Sequence, residues 1–369
     1  MKKILIICAG LCLGGVERFA ANISLFAPKG EFEFHYLVFE GSETDFEAEC
    51  IENGAKILRV KSPSLNHTAY IKALKKILLL NHYDIVHSHT QFNSGINMWA
   101  AKRCGVPVRI SHSHTIAHEQ KIPLKKQLYE DFMRSLIKRY ATVFLACGKE
   151  AGEWMYGTGS SKRRSPDFTV IRNGIDTGRF LFSPENRRQI RAEYQLSEDD
   201  FLIGHAGTLS SVKNQEFLIH LMPEIRKRRP NAKLMLIGRG TEEVQAQLQR
   251  AAIACGVSDQ VLFTGPVMNV HEVLSALDVF TLPSRREGTP LALLEAQANG
   301  LPCVISDVVP DDAVVTDLVR SLPLEDTAAW IEAITASERS DPEKYADIVD
   351  RAGFGRLTAM EPLYDIYRR

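Results

Sequence analysis

Short apolar runs alternate with amphipathic stretches along this chain, and the alternation runs through the sequence twice. The apolar residues within a run are consecutive, which predicts strands buried on both faces of a parallel sheet. The amphipathic stretches between the runs predict the helices that cover such a sheet. In the first half, strands are predicted at 3–9, 34–39, 56–60, 85–88, 108–111 and 142–146, and helices at 16–27, 68–80 and 124–140.

The pattern lapses between residues 157 and 166, where Gly, Ser, Lys and Arg predominate, and this stretch is predicted to be a loop. A short strand at 168–171 follows, and the alternation resumes at Phe201. The length of 369 residues also suits two hydrophobic cores better than one. We therefore predict an α/β protein with two doubly wound domains. The second contains predicted strands at 202–206, 233–237, 261–264, 279–282 and 303–306, and helices at 215–228 and 291–299.

Charge and cysteine content restrict the partners and the compartment. The formal net charge is zero, so no global field attracts nucleic acid, and we expect no nucleic-acid partner. The sequence has seven cysteines, an odd number, and no Cys-x-x-Cys pair. This favours free thiols in a reducing cytoplasm over a set of structural disulfides. The apolar start of the chain predicts a first strand rather than a signal peptide, because a glycine loop and a helix follow without a cleavage site.

The stretch from Glu287 to Glu295 carries the clearest chemical signal. Gly288 permits close approach of a ligand to the backbone, and Pro290 suits the first turn of a helix, where its missing N–H is not needed. The free N–H groups and the positive dipole end of that helix favour an anion such as a diphosphate. The two carboxylates suit a hydroxyl-rich ligand, because each oxygen can accept hydrogen bonds from sugar hydroxyls. The simpler interpretation is that Glu287 only complements the dipole and Glu295 is a solvated helix residue.

Residues 282–307 resemble the nucleotide-sugar site of glycosyltransferase family 4, a group of retaining enzymes with the GT-B fold whose signature is two glutamates separated by seven residues. The resemblance extends over nearly the whole chain and is most evident with bacterial capsular and exopolysaccharide transferases. It implies two Rossmann-like domains, residues 1–172 and 173–340, facing each other across a cleft, with residues 341–369 packing back on the first domain. Further matching segments are 14–18, His112, 172–176, 213–214 and 236–238.

The resemblance also implies roles for individual residues. Glu287 contacts hydroxyls of the donor sugar, Glu295 contacts the ribose, and Lys213 pairs with the diphosphate. His112 lies near the transferred sugar, with His114 as the reserve candidate. The implied catalytic residues are His112, Lys213 and Glu287, and the implied donor-binding residues are Gly15, Thr208, Lys213, Gly238, Arg239, Val267, Glu287, Gly288, Thr289, Pro290, Leu291 and Glu295.

The implied reaction moves a hexose or an N-acetylhexosamine from a nucleotide sugar, expected to be UDP-linked, to a glycan or polyprenyl-linked acceptor in surface polysaccharide synthesis. Transfer occurs on the front face with retention, and the leaving diphosphate helps to deprotonate the acceptor, so no protein nucleophile is required. No cofactor is expected, and no metal, because the sequence lacks an Asp-x-Asp pair. His87 and His89 resemble metal ligands, but no third ligand has the expected spacing, so we interpret them as the end of a strand.

The chain departs from the family pattern at one position. Where the family usually has an arginine before the phosphate-binding lysine, this chain has Thr208. Arg239 and the pair Arg285-Arg286 are candidates to restore the lost charge. If none of them does, the donor binds weakly. The alternative is then that the chain is a catalytically weak GT-B binding protein.

Two other enzyme classes fit the same fold. A nicotinamide dehydrogenase is disfavoured because Gly10, Gly14 and Gly15 do not have the G-x-G-x-x-G spacing, and Glu40 is the nearest acidic residue to the ribose-binding position. A sugar-nucleotide epimerase remains an alternative and would need no acceptor site.

The segment from residue 121 to residue 140 is basic and amphipathic. Leucine and aromatic residues recur at four-residue spacing, so we expect their face to pack on the first sheet while the basic residues face solvent. Lipid-linked acceptors, implied by the resemblance, lead us to expect weak contact of these basic residues with the anionic inner face of the membrane. They are Lys121, Lys125, Lys126, Arg134, Lys138 and Arg139.

Overall fold

The computed structural model describes residues 1–12, 14–42, 44–114, 122–157, 166–339 and 342–369. The chain forms two compact units, unit 1 (Met1–Gly174 and Leu357–Arg369) and unit 2 (Ile175–Arg356). This division differs from the predicted one in the carboxyl-terminal segment. Only the last helix joins unit 1, whereas residues 342–356 remain with unit 2. Most of the predicted loop between 157 and 166 lies outside the described residues.

Unit 1 contains a seven-stranded parallel sheet with the order β3-β2-β1-β4-β5-β6-β7. Every predicted strand of the first half is present, with ends that differ by a few residues. Strand β5 extends two residues beyond its predicted end and includes His112. The strands are β1 (Lys2–Ile7), β2 (Phe32–Phe39), β3 (Lys56–Val60), β4 (Ile85–Ser88), β5 (Val108–Ser113), β6 (Val143–Ala146) and β7 (Thr169–Val170).

The helices of unit 1 cover both faces of this sheet. Its carboxyl-terminal helix contributes Tyr364 and Tyr367 to the core, and the Tyr364 hydroxyl donates to the Ile23 carbonyl at 3.1 Å. The helices are α1 (Gly15–Leu25), α2 (Glu47–Glu52), α3 (His67–Asn81), α4 (Ser94–Arg103), α5 (Leu124–Tyr140), α6 (Lys149–Gly152) and α14 (Arg356–Arg368), with short turns at Gln91–Asn93 and Glu153–Gly157.

Unit 2 contains a six-stranded parallel sheet with the order β10-β9-β8-β11-β12-β13. Strand β13 was not predicted, because it lies at the sheet edge with Arg320 and Ser321 exposed and therefore has no continuous apolar run. The strands are β8 (Phe201–Ala206), β9 (Ala232–Ile237), β10 (Val261–Gly265), β11 (Val279–Leu282), β12 (Cys303–Ser306) and β13 (Val319–Leu322). The helices are α7 (Pro184–Glu193), α8 (Gln215–Arg228), α9 (Glu242–Ala254), α10 (Val270–Ala276), α11 (Leu291–Ala298), α12 (Thr327–Thr335) and α13 (Glu343–Val349), with turns at Thr177–Phe180, Asp311–Ala313 and Asp350–Phe354.

These two parallel α/β domains confirm the predicted fold class. All seven cysteines are free thiols, as expected from their number and spacing. Among the described residues, no helix is both long enough and apolar enough to cross a membrane.

Helix α5 corrects one prediction. Leu124, Leu128 and Phe132 are 70%, 61% and 59% exposed, so these apolar residues do not pack on the sheet. Met133 and Ile137 are buried instead, on the side that packs against α4. The physical reason is that a four-residue step advances about 40° more than one full turn. Residues at that spacing therefore drift around the helix from the solvent side to the buried side.

Candidate functional site

The residues that the sequence assigned to a donor site in unit 2 follow the carboxyl ends of neighbouring parallel strands. Such ends meet at one edge of a doubly wound sheet, where ligands bind. Gly207 and Thr208 follow β8, and Gly238 and Arg239 follow β9. The loop after β10 contains Val267, which is half-buried and packs against the core. The loop after β11 leads through Glu287 to α11.

Lys213 and Glu287 meet at this edge although they are far apart in sequence. The Lys213 Nζ lies 2.6 Å from Glu287 Oε1, and the Ser284 hydroxyl donates to the same oxygen at 2.5 Å. The Glu287 side chain is 6% exposed and that of Lys213 is 25% exposed. The site therefore holds a carboxylate that is nearly buried and a cation that still reaches solvent.

Asn214 connects the loop before α8 with the loop after β11. It adopts a left-handed backbone conformation, with φ of 58°, directly before α8. Its amide donates to the Pro283 carbonyl at 3.1 Å, and its side-chain oxygen accepts from the Arg285 guanidinium at 3.2 Å. The Arg285 N–H also donates to the Val212 carbonyl at 2.8 Å. These bonds fix the Lys213 backbone relative to the Glu287 loop.

His205 and Gln215 hold the Thr208 loop, and sequence reasoning missed both. The Gln215 amide donates to His205 Nε2 at 3.0 Å and to the Thr208 carbonyl at 3.0 Å. Burial and the charge of Lys213 lower the pKa of His205 to about 4, so the ring is neutral. Its Nδ1 then carries the proton and donates to the Thr281 carbonyl at 3.0 Å. A buried histidine at the end of β8 with a glutamine ten residues later is the signal that could have indicated this support.

The loops after β8 and β9 touch through two glycines. Gly238 has φ of 144°, and a Cβ atom on it would lie 2.0 Å from the Gly207 carbonyl oxygen. Leu209 N–H donates to the Arg239 carbonyl at 2.8 Å on the far side of this contact. The close approach therefore requires glycine at position 238 for both conformational and steric reasons.

We expect Gly238→Ala to destabilise unit 2 because its methyl group overlaps backbone that cannot rotate away. Strain of about 3 kcal/mol would lower the melting temperature by roughly 6–12 °C in a domain of this size. Calorimetry or circular dichroism measures the shift. Gly178→Ala is the matched control, since a Cβ there meets only Asp176 Oδ1 at an ordinary 3.6 Å. Equal melting temperatures for the two variants would contradict the steric argument.

Helix α11 begins at Leu291, with Pro290 as the residue before its first turn rather than within it. Pro290 is buried, Gly288 is exposed and Thr289 is half-buried, so the loop presents its backbone at the helix start. Leu291 and Glu295 are half-buried on the helix itself, and Thr208 and Arg239 are exposed on the loops after β8 and β9. An anion at the helix start would meet the N–H groups of Leu291 and Ala292, whereas the Leu293 N–H already donates to the Pro290 carbonyl at 3.0 Å.

Unit 1 carries a cluster of four histidines, His87, His89, His112 and His114, which we call the histidine cluster. Strands β4 and β5 are parallel neighbours with Ser88 opposite Ser111. His87 and His89 on either side of Ser88 therefore come close to His112 and His114, which follow Ser111. The ring centroids of His87 and His89 and of His112 and His114 are each 4.2 Å apart. The Phe19 ring of α1 covers the cluster, 5.0 Å from His112. Gly15 begins α1, with open space where a Cβ would be.

Burial keeps the cluster neutral. Loss of hydration, followed by repulsion from neighbouring imidazoles, holds the pKa values of His87, His89 and His112 well below their usual range. Burial lowers the pKa of His114 to about 3. A neutral imidazole both accepts and donates hydrogen bonds and is the form that ligates metals.

His87 and His89 lie at the end of β4 as predicted, but His112 on β5 brings a third imidazole beside them that the sequence spacing did not indicate. One ring nitrogen from each of His87, His89 and His112 lies within 4.8 Å of the other two. The spacing along the sequence did not reveal this, because β4 and β5 become neighbours only through the crossover helix between them.

Comparison with known proteins agrees with the predicted resemblance. Residues 13–179 match the family model Glycosyltransferase Family 4, and residues 186–352 match the model Glycosyl transferases group 1. The chain is 29% identical to the putative glycosyltransferase EpsF of Bacillus subtilis, over 99% of this chain and 96% of that protein. It is 24% identical to the UDP-Gal:alpha-D-GlcNAc-diphosphoundecaprenol alpha-1,3-galactosyltransferase of Escherichia coli, over 96% and 94% of the two chains.

A solved structure shares the fold along the whole chain. Anabaena HepE in complex with UDP and glucose superposes with a TM-score of 0.81 at 18% identity and covers 100% of both chains. The two family models together match nearly all of the sequence, one in each half. The chain therefore belongs to the glycosyltransferases, with an amino-terminal half of Family 4 and a carboxyl-terminal half of group 1.

Proposed function

We propose that this glycosyltransferase is a retaining hexosyltransferase that moves a hexose or an N-acetylhexosamine from a UDP-sugar to a lipid-linked glycan in surface polysaccharide synthesis. The observation that carries the proposal is the contact between Lys213 and Glu287 beside the start of α11. A cation, a nearly buried carboxylate and free helix N–H groups at one sheet edge match the three parts of a sugar diphosphate.

Each part of the donor has a partner in this arrangement. The diphosphate binds the start of α11 and draws Lys213 from Glu287 toward its own negative charge. Glu287 then accepts hydrogen bonds from hydroxyls of the sugar, and Glu295, further along α11, accepts them from the ribose. Thr208 and Arg239 flank the phosphates, and Arg239 supplies charge that the usual arginine would provide.

The transfer needs no protein nucleophile. The acceptor oxygen bonds to the anomeric carbon on the face from which the diphosphate departs, so the configuration is retained. The bond between the anomeric carbon and the diphosphate oxygen breaks, and the acceptor proton passes to that leaving oxygen. Lys213 and the helix start stabilise the negative charge that develops on the diphosphate.

The comparisons support the choice of donor and acceptor. HepE was crystallised with UDP and glucose, and the Escherichia coli relative uses a UDP-galactose donor and a diphosphoundecaprenol-linked acceptor. The putative glycosyltransferase EpsF is similar to this chain along nearly its whole length. We accordingly place the chain in the cytoplasm, where nucleotide sugars are available, with unit 1 binding the acceptor.

A donor and acceptor panel tests the proposal. The full chain is incubated with UDP-glucose, UDP-galactose, UDP-N-acetylglucosamine or UDP-N-acetylgalactosamine, together with a diphosphopolyprenol-linked monosaccharide. We expect transfer from one donor, with the anomeric configuration unchanged in the product NMR spectrum. An inverted product would contradict the mechanism. Conversion of the donor without an acceptor would favour an epimerase, and binding without turnover would favour a binding protein.

We expect EDTA not to lower the transfer rate, because Lys213 and the start of α11 supply the positive charge that a metal-dependent enzyme takes from its ion. The measurement compares initial rates with and without EDTA at the same pH and ionic strength. Loss of the rate in EDTA and its recovery with manganese or magnesium would contradict a metal-independent mechanism.

The exposed side of α5 adds apolar residues to the basic residues of the proposed membrane contact. Leu124, Leu128 and Phe132 form an apolar stripe at the helix surface, and Lys125 and Arg139 beside it are also exposed. A helix with an apolar stripe flanked by basic residues is typical of segments that lie in the membrane interface. Lys126 is exposed at the helix start, whereas Arg134 packs over the Phe92 and Trp154 rings and is less accessible. Lys121 lies outside the described residues.

We expect the triple variant Leu124→Ser, Leu128→Ser, Phe132→Ser to bind vesicles at least about a hundredfold more weakly than wild type. Each of these side chains contributes about 1.5–3 kcal/mol when fully buried, so partial insertion of all three accounts for that factor. Co-sedimentation with vesicles containing phosphatidylglycerol measures the partition. Changing Lys125, Lys126, Lys138 and Arg139 to Gln should remove the salt dependence of the binding, since each basic residue contributes about 1 kcal/mol at an anionic surface.

Ile253→Ser is the matched control, because Ile253 is 68% exposed on α9 in unit 2. Equal pelleting of the triple variant and this control would exclude α5 as the membrane contact. Such a result would leave the transferase proposal unaffected, because soluble acceptor analogues bypass the membrane.

A further inference from the structure

The histidine cluster of unit 1 contains buried nitrogen atoms without hydrogen-bond partners. Nε2 of His89, Nε2 of His112 and Nδ1 of His114 are all buried and make no hydrogen bond of ordinary geometry with the described residues, although the His112 ring interacts with the Ala146 backbone. Other buried histidines of this chain differ. His35 contacts Tyr83 and Glu33 through its two ring nitrogens, and His205 contacts Thr281 and Gln215 through its own.

An unpartnered polar atom in the interior costs free energy unless a ligand satisfies it. Two of these atoms belong to His89 and His112, whose ring nitrogens also lie within 4.8 Å of a nitrogen of His87, and this points to a shared ligand rather than to separate local defects. The ligand must accept the lone pairs of neutral imidazoles, and a transition-metal cation does so.

We propose that His87, His89 and His112 form a binding site for a divalent transition metal such as zinc, with His114 beside it. Zinc commonly binds three histidines and keeps a fourth position open. Zinc–nitrogen bonds of about 2.0–2.1 Å in a tetrahedron place the ligating nitrogens about 3.3 Å apart. The nitrogens of His87, His89 and His112 lie within 4.8 Å of one another, so the rings must approach each other by up to about 1.5 Å to bind an ion in this way.

The surroundings of His87 resemble the outer shell of a metal site. Its Nδ1 contacts the Tyr367 hydroxyl of α14 at 2.6 Å, which fixes the ring with Nε2 toward His112 at 3.2 Å. Metal-ligating histidines generally use their second nitrogen for such a bond, and it sets the tautomer and orientation of the ring. His114, whose ring stacks on His112, is half-buried.

Metal binding would use the His112 imidazole that the proposed function assigns to the transferred sugar. An occupied site therefore blocks transfer, and this part of the inference rests on the proposed function. The metal is an inhibitor rather than a cofactor, which agrees with the expectation that EDTA does not reduce the rate.

Metal binding is tested on the full chain without an affinity tag, stripped with EDTA and passed through a desalting column. We expect one equivalent of Zn²⁺ per chain to remain after gel filtration, and Co²⁺ to give the visible bands of a tetrahedral nitrogen site. A spectrum with thiolate charge-transfer bands would assign the metal to cysteines and overturn the proposal. Retention of no metal would overturn it as well.

Variants distinguish zinc binding at the histidine cluster from zinc binding elsewhere on the chain. His89→Gln should weaken zinc binding by more than about a hundredfold, and Tyr367→Phe, which removes only the hydroxyl, by about ten- to a hundredfold. His220→Gln is the control, because His220 is exposed on α8, and it should bind as wild type does. Equal binding by His89→Gln and His220→Gln would overturn the proposal. If His89→Gln fails to fold, Tyr367→Phe provides the same comparison.

The two parts of the inference can fail separately. We expect the transfer rate to fall in proportion to zinc occupancy, with each variant referred to its own metal-free rate. If transfer continues at full rate while one zinc is bound to the cluster, the role of His112 in the proposed function is wrong and the metal site stands.

Discussion

Lys213→Met should lower the rate of transfer by roughly 10²–10³-fold, the loss observed when a group that stabilises developing negative charge is removed. Methionine keeps most of the volume of the side chain but removes the cation that faces the diphosphate. The variant also leaves Glu287, which is 6% exposed, without its positive partner. Initial rates at saturating donor, with a melting curve for each protein, measure the effect.

Lys227→Met is a suitable control for this variant, because Lys227 pairs with Glu224 on the exposed side of α8, outside the site. A rate within twofold of wild type for Lys213→Met would show that the start of α11 suffices for the diphosphate. The proposed role of Lys213 would then be wrong even though its contact with Glu287 remains.

Glu287→Gln should reduce kcat by about 10–100-fold and change UDP affinity little. A hydrogen bond to a charged group contributes about 1.5–3 kcal/mol, and the proposed partner of Glu287 is the reacting sugar. Glu295→Gln should have the opposite effect, weakening UDP binding while kcat at saturation is preserved. Isothermal titration with UDP and steady-state kinetics together separate binding from turnover.

Glu242→Gln, an exposed change in the first turn of α9, is the control for both glutamate variants. Glu287→Gln can also be combined with Lys213→Met in a double-mutant cycle. Because Lys213 and Glu287 are in direct contact, we expect the combined loss to be smaller than the product of the single losses. A combined loss in rate equal to the product of the single losses would indicate that the contact does not matter for transfer.

The sequence predicted the strands well because each is an apolar run with no competing pattern. It missed β13, whose middle residues face solvent, and it misplaced the exposed side of α5, where Leu124, Leu128 and Phe132 follow a spacing that drifts around the helix. Both errors arise where the surroundings in the fold, rather than local periodicity, decide which side is buried.

The candidate site was predictable in part. The resemblance predicted roles for Lys213 and Glu287, but their contact depends on loops that Asn214 connects. The role of His205 and Gln215 depends on a buried contact that no linear motif records. The histidine cluster was missed for a topological reason, since β4 and β5 are neighbours only in the folded sheet.

Unit 2 interrupts unit 1 in the chain, and this has a consequence for the order of folding. The polypeptide leaves unit 1 after Gly174 and re-enters it at Leu357. The two crossing segments are paired, with the Ile175 N–H donating to the Phe354 carbonyl at 2.8 Å. Helix α14 fills the core of unit 1 with Tyr364 and Tyr367. During synthesis, α14 therefore emerges from the ribosome only after the whole of unit 2. Until then the core of unit 1 lacks Tyr364 and Tyr367 and cannot be completed.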